Sequence, residues 1–127
     1  MFKAMLIAGC GGFIGTCLRF LTGRLCQTAM PGIFPWGTFI ANIAGSFFIG
    51  IFFGLAEKTH IVSPHMGIFL ITGFCGGFTT FSSLSYDMLL LIQNRQWTTF
   101  TLYTLLSFVI GIAAVLAGRY IVKSVTV

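Results

Sequence analysis

The side chains able to do chemistry in this chain are few, and most are neutral hydrogen-bonding groups in apolar surroundings. Thr38, Asn42 and Ser46 are spaced by four and so share one face of a helix. Tyr103 and Ser107 lie one helical turn apart, with Thr99 before them and Gly111 after. The run Thr79-Thr80-Phe81-Ser82-Ser83 concentrates four hydroxyls in an otherwise apolar segment. Gly12, Gly15, Thr16, Arg19 and Gly23 follow helical spacing and give a narrow face of small residues bearing one guanidinium. The Asn42 carboxamide offers two N–H donors that could replace part of an anion's hydration shell; a mid-span Asn also serves as a tie between helices. Arg19 reads either as a snorkelling cation or as an electropositive vestibule that draws anions in. Acids are nearly absent: Glu57 falls in a loop, and Asp87 lies about a turn before a span end. Donors from Asn, Thr, Ser, Tyr and Arg with no central carboxylate suit an anion better than a cation. No nucleophile is paired with a base, so the reading is not an enzyme.

The elements that must position these groups follow from composition. The chain has 127 residues, 57% apolar, 16% aromatic and only 7% charged, with a mean hydropathy of +1.00. Soluble domains carry about 25% charged residues, and disorder needs low hydrophobicity. At roughly 20 residues per span the length holds four transmembrane helices with short connections, as one domain. The first apolar segment runs over about 4–30, ended by Pro31-Gly32 and Pro35. The second runs over about 36–56, closed by Glu57-Lys58-Thr59-His60, and the third over about 66–92. Ser63 is a plausible N-cap there, with Pro64 at the first helical position. Gln93-Asn94-Arg95-Gln96 makes the next polar turn, and the fourth segment runs over about 97–122. Trp36, Trp97 and Tyr120 fall at span ends, as interfacial aromatics do. His60 and His65 read as solvated loop residues. Gly11-xxx-Gly15, Ala41-xxx-Gly45 and Gly50-xxx-Gly54 supply close-packing faces.

The third segment is the least helix-like. Gly73, Gly76 and Gly77 precede two β-branched threonines, and each mid-helix glycine costs about 1 kcal/mol relative to alanine. Such a stretch reads as a helix broken mid-membrane, whose freed carbonyls face a buried site or an ion. The alternative is a tightly packed Gly-rich crossing of intact helices. The four cysteines (Cys10, Cys17, Cys26 and Cys75) have neither CxxC spacing nor adjacent His, and read as small apolar residues. Leu6-Ile7-Ala8-Gly9-Cys10 resembles a lipoprotein cleavage site, but the apolar stretch before it is too short and apolar sequence continues beyond.

The net charge of +5 is scattered rather than clustered, which argues against a nucleic-acid partner. Four spans put both termini on one side of the bilayer, with Lys3, Lys58, Arg119 and Lys123; Arg19, Arg24 and Arg95 fall on the other. Four against three gives almost no positive-inside bias, so the chain is expected to insert both ways and to pair with an inverted copy of itself.

Three blocks together resemble a known family. They are Gly11-Gly12-xx-Gly15-xxx-Arg19, then Pro35-Trp36-Gly37-Thr38-xxx-Asn42, then Gly73-Phe74-Cys75-Gly76-Gly77-Phe78-Thr79-Thr80-Phe81-Ser82. They resemble the bacterial fluoride channels called CrcB or Fluc, over essentially the whole chain. The resemblance implies a passive fluoride exporter of the bacterial cytoplasmic membrane, built as an antiparallel dual-topology dimer with two pores along the subunit interface. Fluoride enters acidified cells as HF, is trapped as the anion, and leaves down the membrane potential. The resemblance also implies a structural Na⁺ at the dimer centre, held by the backbone carbonyls of Gly76 and Thr79 from each subunit. It assigns the pore asparagine to Asn42, the vestibule arginine to Arg19, and a polar track to Tyr103 and Ser107. Fluoride would exchange its water for donors from Asn42, Thr80, Ser107 and Tyr103 and for the edge of Phe81, with Thr38 on the same face as Asn42.

The chain departs from the family pattern at three places. Family members carry two pore phenylalanines three residues apart; Phe81 matches the first, but the second is Leu84. A phenyl edge carries partial positive charge toward an anion, and an isobutyl group does not. Gly111 stands where some members continue the polar track with Ser, and Asp87 where members more often carry Glu. The chain therefore reads as a self-sufficient homodimer or as one half of a heterodimeric channel with a paralogous, less active subunit. A small dual-topology multidrug-type exchanger is the other rival, although it needs a carboxylate within its first span.

Overall fold

The computed structural model describes residues 1–58 and 62–125, so His60 lies outside the described residues. Among them there is no strand. Four segments are long and apolar enough to cross a membrane: Phe2–Ala29, Trp36–Lys58, Pro64–Gln93 and Trp97–Val125. We call the first two α1 and α2. The third span is two helices, α3 (residues 64–78) and α4 (Phe81–Gln93), and the fourth is α5 (Trp97–Val125). Each span lies within a few residues of its sequence-based bounds. His65 differs from expectation, lying in the exposed first turn of α3 rather than in the loop.

Local chemistry fixes the ends. Ser63 caps α3 by accepting the Met66 amide at 3.2 Å, with Pro64 at the first helical position. α4 ends with Arg95 at a φ of 56°. The Gln96 amide donates to the Leu91 carbonyl at 2.9 Å and the Arg95 amide to Ile92 at 3.0 Å, the paired bonds of a Schellman turn. That turn reverses the chain into α5 within three residues.

Two seams of small residues hold the spans together. α2 lies along α5 in one of them. There Gly118 faces the Phe47 carbonyl and Gly50 the Val115 carbonyl, each too close to admit a Cβ. α1 lies along α3, with Gly11 and Gly15 meeting Gly73 and Phe74 backbone to backbone. Outside these seams the chain turns its apolar side chains outward. Phe13, Phe20, Leu105 and Val109 are all exposed, the arrangement suited to hydrocarbon as solvent. Arg119 pairs with Glu57 at 3.0 Å, tying the end of α2 to the end of α5.

The third span is broken, over a shorter stretch than the sequence implied. Only Thr79 (φ −97°, ψ 150°) and Thr80 (φ −155°, ψ 129°) are extended. Before them, Ile68–Cys75 winds as a π-helix, with the Gly76 amide reaching back to the Ile71 carbonyl. Widened turns of this kind are rare and cluster at functional sites.

Candidate functional site

The break is held from three directions. From within, Thr79 returns both its amide and its hydroxyl to the Cys75 carbonyl, each at 2.8 Å. The Thr80 hydroxyl caps α4 by accepting the Ser83 amide at 3.3 Å. From α2, the Asn42 carboxamide clamps the Thr80 peptide on both sides. Its Oδ1 accepts the Thr80 amide at 2.9 Å and its Nδ2 donates to the Thr80 carbonyl at 3.3 Å. From α1, Arg19 Nε donates to the Gly77 carbonyl at 3.0 Å. Asn42 therefore ties α2 to the break, using its carbonyl oxygen and one of its two N–H donors.

Beside the clamp is an open cleft of about 200 Å³, lined by Asn42, Ser46, Thr80, Phe81, Leu84 and Ser107. Six of the candidate site residues meet here, Thr79 among them, together with Ser46 from the same face of α2 as Asn42. The hydroxyl oxygen of Ser107 is buried and has no hydrogen-bond partner among the described residues. Buried hydroxyls nearly always have a partner, and the chain itself supplies none to this one among the described residues. Phe81 stands 69% exposed at the cleft's edge, whereas Leu84 is only 5% exposed. Leu84 both lines the cleft and packs into a core with Leu91 and Tyr103.

Three other sequence candidates lie elsewhere. Thr38 and Arg19 line a second, outer cleft of about 340 Å³ together with Arg24, Gln27 and Asp87. Tyr103 lines neither cleft. It is fully buried, donates its hydroxyl to Asp87 Oδ2 at 3.0 Å, and packs edge-on against Phe34. Thr38 lines the outer cleft with the same Asp87. The polar line on α2 thus serves both clefts, whereas on α5 only Ser107 reaches one. Thr38 and Tyr103 stand at the Asp87 end, and Asn42 and Ser107, a turn further along each helix, stand at the break.

The Asp87–Tyr103 pair is hidden when the residues are taken one segment at a time, although the sequence carries a signal for it. Both residues are eight positions from Arg95, the turn residue, so a tight helical hairpin brings them to one depth. Tyr103→Phe removes a hydrogen bond to a carboxylate within the span, a contribution of about 1.5–3 kcal/mol. We expect the purified variant to unfold correspondingly earlier in detergent titrations while keeping its helical content. An unchanged midpoint would contradict the pairing.

The family model described as "CrcB-like protein, Camphor Resistance (CrcB)" matches residues 6–119. A protein of Azobacteroides pseudotrichonymphae named fluoride-specific ion channel FluC is 45% identical over 93% of this chain and 94% of its own length. Proteins with the same name from Flavobacterium psychrophilum and Chlorobium luteolum are 42% and 47% identical. These span 95% and 91% of this chain and 98% and 88% of their own lengths. Four spans, a hinge of two threonines in the third and likeness from end to end agree: this is a multi-pass membrane protein, and it belongs to the CrcB-like family.

Proposed function

We propose that this chain is a passive, fluoride-selective channel of the bacterial cytoplasmic membrane. The observation that carries the reading is the unpartnered Ser107 hydroxyl, buried in a cleft it shares with the Asn42 amide and the Thr80 hydroxyl. Relatives bearing the fluoride-channel name cover nearly the whole chain, which supports fluoride as the anion. A small, strongly hydrated anion gives up water only for donors that replace it at once. Asn42, Ser107 and the exposed edge of Phe81 supply such partners without a fixed negative charge beside them. Arg19 and Arg24 in the outer cleft favour anion entry.

The conducting unit is an antiparallel dimer of inverted copies. A single chain leaves Phe81 on its surface and the inner cleft open on one side, which a second copy would cover. The near-even split of basic residues, four against three, lets both orientations arise from one sequence. The break fits a cation held by main-chain oxygen. The Cys75 and Gly77 carbonyls are taken by Thr79 and Arg19, but among the described residues no hydrogen bond falls on those of Gly76 or Thr79. Hard cations take oxygen ligands, and no cluster of acidic, His or Cys side chains competes for one among the described residues. Na⁺ bound there would neutralise oxygens that the broken helix leaves unsatisfied, two from each copy.

The deciding experiment reconstitutes the purified chain alone in liposomes, imposes a potential, and follows fluoride and chloride release by electrode. Fluoride release without chloride release is expected. Proton-dependent exchange would favour a multidrug-type carrier, and silence would favour a subunit that conducts only with a paralogous partner. Leu84→Phe restores the aromatic pair, and fluoride flux is expected to be preserved or raised. Loss of flux in this variant would mean that the cleft needs the smaller, buried side chain.

A further inference from the structure

We infer that Arg19 is a positioning residue for the break in the third span, acting through its Nε–H, and that its charge is secondary. Register on α1 supports this. Gly11, Gly15 and Arg19 are spaced by four, and the first two meet the backbone of α3 at Gly73, Phe74 and Phe78. One turn further along the same face, the Arg19 side chain meets the span where it opens. A snorkelling arginine would point away from this seam; here Nε is 3.0 Å from the Gly77 carbonyl.

The carbonyl needs that partner. In an unbroken helix the Gly77 oxygen would accept from the amide four residues on, but Thr79 and Thr80 are extended and the helix restarts at Phe81. A helix end leaves its last carbonyls without intrahelical partners, and within a bilayer there is no bulk water to take them. Arg19 and Asn42 therefore divide the work. Arg19 satisfies the last turn of α3, Asn42 satisfies the extended Thr80 peptide, and the Gly76 and Thr79 carbonyls remain open between them.

Because the bond is made by Nε, its chemistry can be separated from the charge. Glutamine carries an N–H₂ donor on the same δ-carbon that bears Nε in arginine, and it is neutral. Lysine keeps the charge but moves its nitrogen one atom further out, and methionine keeps only the bulk. The inference rests on the fluoride-channel reading for its transport readout alone; its second readout is independent of that reading.

Arg19→Gln, Arg19→Lys and Arg19→Met are compared with wild type by amide hydrogen exchange over residues 74–85 in lipid nanodiscs, and by fluoride efflux from liposomes. We expect the Thr79 and Thr80 amides to keep wild-type protection in R19Q. In R19K and R19M they should exchange at least about tenfold faster, the consequence of one lost hydrogen bond. Fluoride efflux should be reduced but measurable in R19Q and fall to leak in the other two. The inference is overturned if R19K preserves protection and R19Q does not, or if all three variants behave alike. A silent wild type would count against the channel reading, while the exchange data would still decide the role of Arg19.

Discussion

Replacing Asn42 with aspartate is expected to reduce fluoride efflux to the leak of protein-free liposomes. The substitution changes shape very little and reverses the hydrogen-bonding logic on one side of the clamp. Oδ1 can still accept the Thr80 amide, now at 2.9 Å, but the second carboxylate oxygen replaces the N–H₂ that donates to the Thr80 carbonyl at 3.3 Å. Two acceptors then face each other in a site that bulk water does not relieve. The same change places a negative charge in the cleft proposed for the anion. Like charges about 4 Å apart repel by about 4 kcal/mol at an effective dielectric constant near 20, a rate factor on the order of 10³. Asn42→Ala separates the two effects. It loses both bonds to Thr80 but adds no charge, so the Thr80 amide should exchange faster than in Asn42→Asp while some fluoride flux persists. Flux in Asn42→Asp within a fewfold of wild type would remove Asn42 from the pathway.

What sequence could reveal of this arrangement depends on whether a feature is local or needs a partner. The four spans are local: apolar runs separated by Pro-Gly and by a Gln-Asn-Arg-Gln turn read directly as helices and connections. So is the weakness of the third span, because three glycines and two β-branched threonines are poor helix formers wherever they sit. The break's short length was not legible. Residues 73–78 could as well have opened, but Gly73 and Gly77 are held helical by close contact with Gly11, Gly12 and Thr16 on α1, a distant neighbour in sequence. Nor does the π-wound stretch announce itself, since nothing in Ile68–Cys75, apolar apart from Thr72, favours a particular turn width.

Candidate residues divide in the same way. The four-residue spacing of Thr38, Asn42 and Ser46 located a real face of α2, but not that it serves two clefts. Tyr103 lies one turn from Ser107 on α5, but its hydroxyl is spent on Asp87, a pairing visible only once the turn at Arg95 is known to be tight. Leu84 illustrates the limit of comparing types at one position. The loss of a phenyl ring suggested a gap in the pathway, whereas in the fold the leucine fills a core beneath Tyr103 as well as lining the cleft.

The second large effect is expected from a single methyl group. Gly15→Ala should strongly reduce the yield of monodisperse protein and lower its melting temperature in detergent, whereas Gly9→Ala on the same helix should leave both unchanged or raise them. A Cβ at position 15 would collide with the Phe74 carbonyl oxygen and lie 2.8 Å from the Phe78 amide nitrogen. Both obstacles are backbone, so no rotamer change relieves them and α1 must move away from α3. Overpacking of this kind costs about 1–3 kcal/mol even where side chains can adjust, and here they cannot. At position 9 the same methyl meets nothing within 4 Å and removes the helix penalty of glycine, a gain of up to about 1 kcal/mol. The displacement would also reach the site. Arg19 is one turn beyond Gly15, and its 3.0 Å bond to Gly77 has no slack for helices pushed apart. Any Gly15→Ala protein that survives purification should therefore show faster exchange at Thr79 and Thr80 and little fluoride flux. Equal stability of the two alanine variants would mean that the α1–α3 seam is looser than its glycines imply, and that the break does not depend on α1.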